Sequence, residues 1–172
     1  LWDYSPKNHG KPKLVRVDAI NAYLLDAPNV LVFPRRKPLK STTQEMVNGS
    51  KPTDGGFLSN IDPDEASRIR AHDPTAAKYL RPILGAQEML NGKKRFCLWL
   101  VGADPSDIRG SKELNARVSA VREMRLGSSD KATVSDASRP SEFQKIRQPK
   151  TTYLGVPRVS SGNREYVPMM LI

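Results

Sequence analysis

The sequence predicts an α+β fold with a mostly antiparallel sheet, helices in the middle of the chain and long basic loops. Apolar runs typical of strands occur near both ends, whereas helix start signals cluster in the middle. The length of 172 residues is that of one domain. Because 38% of the residues are hydrophobic and 27% are charged, the composition is that of a globular chain with a substantial core.

The N-terminal third is predicted to contain two strands and a long loop. Residues 1–13 are rich in Pro, Gly, Asn and Lys and are expected to form a leader or linker, so that the domain itself spans residues 14–172. Strands are predicted at 14–17 and 29–34, where a proline ends the second run. Residues 35–56 carry Asn-Gly and Asp-Gly-Gly turn signals and are predicted to be loop.

Capping signals place the helices of the middle of the chain. Asp62 followed by Pro63 predicts a helix that ends near residue 72, and a second short helix is expected to follow, from 73 to about 80. Asp104-Pro105 and then Ser111 predict further helical starts. In the helix from Ser111, residues 114, 118 and 121 share one apolar face, and Gly127 is expected to end it. Residues 128–141 are predicted to be loop.

The remaining strands are predicted from turn chemistry and apolar runs. Asn91-Gly92 is typical of a type I′ hairpin turn, and the aromatic, apolar run at 96–101 is predicted to be a central strand. Two further strands are predicted at 153–159 and 164–172. Tyr23, Trp99 and Tyr153 are expected in the core.

Cysteine and histidine usage excludes several kinds of site. One Cys cannot form an internal disulfide or a Cys-rich zinc site, and the two His are far apart without metal-binding spacing. Cys97 lies in an apolar run and is expected to be a buried small hydrophobe. That run is too short to span a bilayer, and no signal peptide is present, so we expect a cytoplasmic protein without membrane contact.

No motif for catalysis on nucleic acid is present in the chain. Asp54-Gly55-Gly56 lacks the strand-then-helix context of a nucleotide or S-adenosylmethionine turn. There is no Pro-Pro pair for an adenine methylase loop, and no acid stands two residues before a Lys as in PD-(D/E)xK nucleases. We therefore expect neither a catalytic residue nor a cofactor or metal site in this chain. Leu1 at the start and an apolar end at Ile172 lead us to expect a domain of a longer protein.

The net charge of +10 is concentrated in two segments. Residues 35–51 and 139–164 together supply +9 of it, and Lys93-Lys94-Arg95 form a third cluster. A polyanion such as nucleic acid fits these clusters, although a solvated basic face without a partner is the alternative. Aromatic residues make up only 6% and are not interleaved with the basic clusters, which favours duplex over single-stranded nucleic acid. Arg117, Arg122 and Arg125 either snorkel at the core edge or point into a groove.

Four blocks of the sequence resemble a known family. They are INAYLLDAPNVLV at 20–32, NGSKPTDGG at 48–56, RPILGAQEMLNGKKRFCLWL at 81–100, and IRQPKTTYLGVPRVSS at 146–161 followed by REYVP. Together they resemble the target-recognition domain of the MmeI-like DNA methyltransferases over about residues 14–172.

This resemblance implies a specific function. Members of the family are bacterial restriction–modification proteins that join an adenine-N6 methyltransferase, using S-adenosylmethionine, to this domain, often with an endonuclease that would require Mg²⁺. The domain lies in the major groove of double-stranded DNA and selects the sequence to be methylated. The expected partners are thus duplex DNA and the methyltransferase domain of the same chain. A stand-alone basic domain that binds nucleic acid, for example RNA, is the alternative.

The residues expected to contact DNA lie in the basic segments, because the specificity positions of the family vary and cannot be transferred one by one. By position they are Ser50, Lys51, Arg147, Lys150, Arg158, Ser160, Ser161, Asn163 and Arg164. Arg158 and Arg164 are expected to include a base reader, since an Arg fork bonds guanine O6 and N7 together. Asp54 is expected to form a turn and not to bind DNA.

Overall fold

A computed structural model of the chain describes residues 1–4, 6–30, 33–34, 46–161 and 163–172. The chain divides into two compact units, Leu1–Met46 and Val47–Ile172. Small antiparallel sheets lie near both ends and in the middle, and the helices are concentrated in the middle of the chain, so the predicted α+β class is confirmed. Within the described ranges no helix combines the length and apolarity needed to cross a membrane.

A short antiparallel strand pair lies in the described part of the first unit. Strand β1 (Trp2–Asp3) pairs with β2 (Lys13–Leu14), and a 3₁₀ turn, Pro6–Asn8, lies between them. The strand predicted at 14–17 is thus limited to its first residue, and its partner comes from the segment expected to be a leader. The strand predicted at 29–34 includes residues 31–32, which lie outside the described residues; 29–30 and 33–34 are not strand.

Tyr23 contradicts the prediction that it belongs to the core, because 79% of it is exposed. It lies in a turn in which the Asn21 side chain accepts hydrogen bonds from the Tyr23 and Leu25 N–H groups, at 2.9 and 3.0 Å. The local bonds of an Asn turn hold the backbone here, so no apolar packing is needed to fix its shape.

The second unit begins with two helices capped by aspartates. Helix α1 (Pro63–His72) starts as predicted, because the Asp62 carboxylate accepts a hydrogen bond from the Glu65 N–H at 2.7 Å. Helix α2 (Pro74–Ala77) is capped by Asp73 in the same way but ends earlier than predicted. It is shortened because Leu80 already belongs to strand β3 (Leu80–Pro82).

The prediction of a β-hairpin turn at Asn91-Gly92 is wrong. Residues Ala86–Asn91 form helix α3, and Gly92 ends it in the left-handed conformation, with φ +64° and its N–H bonded to the Glu88 carbonyl at 3.0 Å. Asn-Gly serves a helix C-terminus as well as a type I′ turn, because glycine adopts positive φ without strain. Strand β4 (Phe96–Leu98) pairs instead with β3, antiparallel, and Phe96 also bridges Ile61. The central strand predicted at 96–101 is thus reduced to three residues of a two-stranded sheet, with one isolated bridge on its other side, and α3 connects it to its partner.

The next helices follow their predicted caps, and one more appears where loop was expected. Helices α4 (Pro105–Gly110) and α5 (Lys112–Leu126) start at Asp104 and Ser111, and α5 ends before Gly127. The loop prediction for 128–141 is wrong, because α6 (Lys131–Ser135) and a 3₁₀ turn, Asp136–Ser138, lie there. Asp130 caps α6 by accepting bonds from two N–H groups, and Thr133 is buried beneath it.

The two strands predicted at the C-terminus are much shorter than expected. Only β5 (Leu154–Gly155) and β6 (Met170–Leu171) pair, in antiparallel register, between long stretches of irregular backbone. Prolines at 157 and 168 remove ladder donors, which limits how far such strands extend.

The core of the second unit lies between α1, α5 and strand β4. Trp99 packs against it, as expected, and meets Phe143 edge to face, with ring centroids 5.1 Å apart. Tyr153 is half-buried and lies outside this core cluster, so the prediction that it belongs to the core is wrong. Cys97 is buried, as expected, and burial raises the pKa of its thiol to about 11, with a smaller opposing effect from Arg81 and Arg95. Among the described residues, the fully buried apolar side chains are Leu58, Ile61, Ala66, Ile69, Ala76, Leu98, Leu114 and Val121.

Candidate nucleic-acid interface

Two loops far apart in the chain lie side by side. The Lys51 N–H donates to the Lys145 carbonyl at 2.9 Å, and the Lys145 N–H donates back to the Lys51 carbonyl at 3.0 Å. The Ser50 hydroxyl oxygen accepts from the Arg147 N–H at 2.8 Å. The structure thus brings together three of the predicted site residues, Ser50, Lys51 and Arg147, and adds Lys145. We call these four residues the paired basic loops.

A second row of contacts lies next to this backbone bridge between Lys51 and Lys145. The Gln144 N–H donates to the Pro52 carbonyl at 3.1 Å, and the side chains of Thr53 and Gln144 are hydrogen-bonded at 2.8 Å. Lys51, Lys145 and Arg147 remain exposed. The backbones are therefore fixed while the cationic side chains face solvent.

Arg125 lies behind the same segments and is 1% exposed. Its guanidinium donates to main-chain carbonyls of residues 52, 53, 136, 139 and 142, at 2.7 to 3.1 Å. Of the two expectations for the arginines of α5, projection into a groove is wrong for Arg125 and Arg117. Arg117 pairs with Glu113 at 2.7 Å and with Glu65. Nothing in the sequence around Arg125 distinguishes it from a surface arginine, so sequence reasoning missed this role.

Asp54 forms a turn, as expected. Its carboxylate accepts bonds from the Gly56 N–H, the Leu58 N–H and the Ser59 hydroxyl at 2.8 to 3.0 Å, and it is 3% exposed. Gly55 and Gly56 have φ values of +63° and +87°, which glycine adopts without strain. Because the carboxylate occupies the N–H groups of this glycine turn, the turn does not fit the anionic groups of a cofactor.

The predicted site residues from 158 to 164 lie in a separate exposed segment. The Ser161 hydroxyl oxygen accepts from the Asn163 N–H at 3.2 Å, and the Arg164 N–H donates to the Ser161 carbonyl at 3.2 Å. The Arg164 guanidinium donates to the Leu90 carbonyl in α3 at 3.3 Å. Arg158 and Ser160 are exposed, and Gly162 lies outside the described residues. Across the described ranges, no hydrogen bond or ion pair joins this segment to the paired basic loops.

The segments also differ in which cations are neutralised. Arg139 pairs with Asp136 at 2.7 Å and with Glu142 at 3.3 Å, and Arg95 pairs with Glu88 at 2.9 Å. Counting only residues that the structure describes, no ion pair involves the following cations: Lys51, Lys145, Arg147, Lys150, Arg158 and Arg164.

Two hydrogen bonds from Thr133 and one from Ala132 lower the pKa of Asp130, and the charge of nearby Lys51 adds to the effect.

Among the residues placed by the structure, no group of three or more His, Cys, Asp or Glu side chains converges as metal ligands would. A shallow depression of about 390 Å³ is lined by Asn60 and Asp62 before α1, by Gln87 and Glu88 of α3, and by Lys93, Lys94 and Arg95. Arg35, Arg36, Lys37 and Lys40, which contribute to the first basic segment, lie outside the described residues.

The fold and the exposed basic loops define a small α+β module suited to an anionic partner. Residues 26–172 match the family model described as MmeI, target recognition domain, and the chain belongs to that family. It is 34% identical over 155 residues to DNA methyltransferase A of Bacillus subtilis (strain 168). The matched stretch covers 90% of this chain and 17% of that protein.

A solved structure agrees with this assignment. The chain matches the type IIL restriction-modification enzyme MmeI, solved in complex with DNA, at 39% identity and a TM-score of 0.80. The match covers 95% of this chain and 22% of the enzyme. The chain thus spans about a sixth of the length of its curated relative and about a fifth of that of the solved enzyme.

Proposed function

We propose that this chain is the sequence-specific duplex-DNA recognition module of a bacterial S-adenosylmethionine-dependent adenine-N6 DNA methyltransferase. In this proposal it is joined to the methyltransferase domain in one polypeptide and acts on DNA in the cytoplasm. A fused restriction endonuclease with Mg²⁺ is the further activity that the family organisation allows. The cofactor binds in the methyltransferase domain, since the glycine turn at Asp54 does not fit it.

The observation that carries the proposal is the pair of basic loops in a member of this family. Lys51, Lys145 and Arg147 are exposed without ion pairs in the described part of the chain, on backbones that hydrogen bonds hold in place. Binding a phosphate orders less of the chain when the cation stands on a fixed backbone than when it stands on a mobile loop, so the entropic cost is smaller. The family membership favours this function over a stand-alone RNA-associated domain, because the relatives are large DNA-modifying proteins.

Each predicted residue has a role in the proposal. Lys51, Arg147 and Lys150 contact phosphates, and Ser50 holds the Arg147 backbone. Arg158 and Arg164 include a base reader in the major groove, and the small polar residues between them bond phosphate or a neighbouring base. Those small residues are Ser160, Ser161 and Asn163.

The salt dependence of duplex binding tests the proposal. Four to six phosphate contacts predict that log K falls against log salt with a slope of about −4 to −5. Fluorescence anisotropy of a labelled duplex, titrated with the chain at several salt concentrations, measures this slope. A flat response, or tighter binding to a single strand of the same sequence, would contradict duplex recognition.

A separate experiment tests the proposal for the whole protein. Native genomic DNA is sequenced for methylated adenines in cells with and without the gene. We expect one methylated sequence motif that appears only with the gene, and its absence would argue against an adenine methyltransferase.

A further inference from the structure

We infer that Arg125 is a positioning residue for DNA binding: its buried guanidinium holds the paired basic loops in their binding geometry without contacting DNA. The inference rests on the proposed function, which it deepens by assigning a residue that none of the sequence patterns indicates. Arg125 stands in the last turn of α5, and the residues it positions come from both sides of the bridge between Lys51 and Lys145.

All five N–H donors of Arg125 are used. Nε donates to the Thr53 carbonyl at 3.0 Å, and Nη2 donates to Pro52 and Glu142 at 3.1 and 2.7 Å. Nη1 donates to the carbonyls of residues 136 and 139, each at 2.9 Å. A guanidinium has five donors in a fixed planar fork, so the side chain is fully satisfied by two backbone segments, 52–53 and 136–142.

These acceptors lie next to the residues proposed to bind phosphate. Pro52 follows Lys51 directly, and Glu142 stands three residues before Lys145. Two segments with so few bridge hydrogen bonds would not hold their register alone, because a short isolated pair is marginal in water. Arg125 supplies the buried anchor, and the exposed ends of the same segments carry the cations.

The electrostatics fit a structural cation that remains charged. Burial lowers the pKa of the Arg125 guanidinium, whereas the nearby Asp136 and Asp54 carboxylates raise it. Arginine keeps its proton at neutral pH even so. Replacement by lysine keeps the charge but supplies only three donors from one point, which leaves at least two buried carbonyls without a partner.

The competing interpretation is that Arg125 only stabilises the core. Arg125→Lys is therefore compared with Val121→Ala, which removes a fully buried apolar group from the same helix and carries no polar contact. Both variants are expected to lower the melting temperature. Only Arg125→Lys should speed hydrogen exchange at the Lys51, Gln144 and Lys145 amides, which form the bridge and its neighbouring row.

Duplex binding is measured for both variants well below their melting temperatures. Arg125→Lys should weaken binding roughly 10- to 100-fold near 0.1 M salt and make the salt slope shallower by about one to two units, as expected for the loss of one or two phosphate contacts. Val121→Ala should leave the affinity for the duplex and the salt slope nearly unchanged. In a double-mutant cycle, Lys51→Ala should cost much less in the Arg125→Lys background than alone, because the misplaced lysine no longer reaches its phosphate.

The outcomes separate this inference from the proposed function. Equal effects of the two variants on binding, or an additive cycle with Lys51→Ala, would overturn the positioning role while leaving duplex recognition intact. If the wild-type chain binds no duplex, the proposed function and the role of Arg125 in it both fail. If Arg125→Lys does not fold, hydrogen exchange is measured in the wild-type chain. Lys51 and Lys145 amides that exchange far faster than the Leu98 amide of β4 would show that Arg125 does not hold the bridge in place.

Discussion

Some arginines of this chain are engaged in ion pairs or hydrogen bonds within the fold, and others are exposed without an ion pair in the described ranges. Arg95, Arg117 and Arg139 form ion pairs, and Arg125 donates all its hydrogen bonds to backbone carbonyls. In the described ranges, by contrast, Arg147 and Arg158 are exposed without an ion pair. A count of basic residues in a segment therefore overstates the charge available to a polyanion, and Arg139 is the clearest case.

At the residue scale, Arg158 and Arg164 are expected to include a base reader. Arg→Ala at a base reader should cost about 1–3 kcal/mol and relax one position of the recognised sequence, whereas loss of a phosphate contact weakens all sequences alike. The measurement is selection of bound duplexes from a random library by each variant. Arg139→Ala is the matched control, because it removes the same charge from a guanidinium already engaged by Asp136 and Glu142.

The selected sequences decide between the two roles. If Arg158→Ala and Arg164→Ala both select the same consensus as the wild-type chain, neither residue reads a base. The Arg164 bond to the Leu90 carbonyl at 3.3 Å uses one of its five donors, so its fork retains enough donors for a guanine edge.

At the element scale, the ends of helix α3 are held by Glu88. Its carboxylate accepts from the Gly85 N–H at 2.7 Å and from Arg95 at 2.9 and 3.2 Å, while only 7% of the residue is exposed. Glu88 therefore links the residue before the helix to Arg95, which directly precedes strand β4. These contacts favour a helix over the hairpin that Asn91-Gly92 suggested.

Glu88 is expected to make the stability depend on pH in the acid range. Burial opposes ionisation of Glu88, but the hydrogen bonds from Arg95 and Gly85 outweigh burial and lower its pKa. A pKa that is lower in the folded state contributes stability above the unfolded value of about 4.3, and this contribution is lost as pH falls through the folded pKa. Glu88→Gln should thus lower the free energy of unfolding by about 1–3 kcal/mol at pH 7 and by less near pH 3.

Urea denaturation at pH 7 and pH 3 measures this difference. Glu123→Gln, at an exposed position of α5, is the control and should differ little from the wild-type chain at either pH. A Glu88→Gln effect that is equal at both pH values would show that shape, and not charge, accounts for the contribution of this residue.

At the scale of the whole molecule, the chain is expected to bind no S-adenosylmethionine by itself. The one glycine turn with a suitable composition is closed by the Asp54 carboxylate, which occupies the Gly56 and Leu58 N–H groups. Isothermal titration calorimetry of the 172-residue chain with S-adenosylmethionine should give no saturable heat. Micromolar saturation would place a cofactor site in this chain and revise the assignment of chemistry to a separate domain.

The sequence by itself determined the α+β class, the family, the helix starts at Asp62, Asp104 and Ser111, and the turn at Asp54. The helix starts and the turn depend on bonds between residues a few positions apart, so their causes lie within a short stretch of sequence. The burial of Cys97 was equally accessible, because an apolar run predicts a core strand without reference to its partner.

Only the tertiary structure decided which distant segments meet. The partner of β4, the bridge of Lys51 with Lys145 and the five carbonyl contacts of Arg125 join residues separated by up to 94 positions. The lengths of the C-terminal strands and the exposure of Tyr23 were decided at the same level. Such contacts form where the folded backbone brings unpaired N–H and C=O groups of distant segments close together. A local sequence pattern does not specify which distant segments these are.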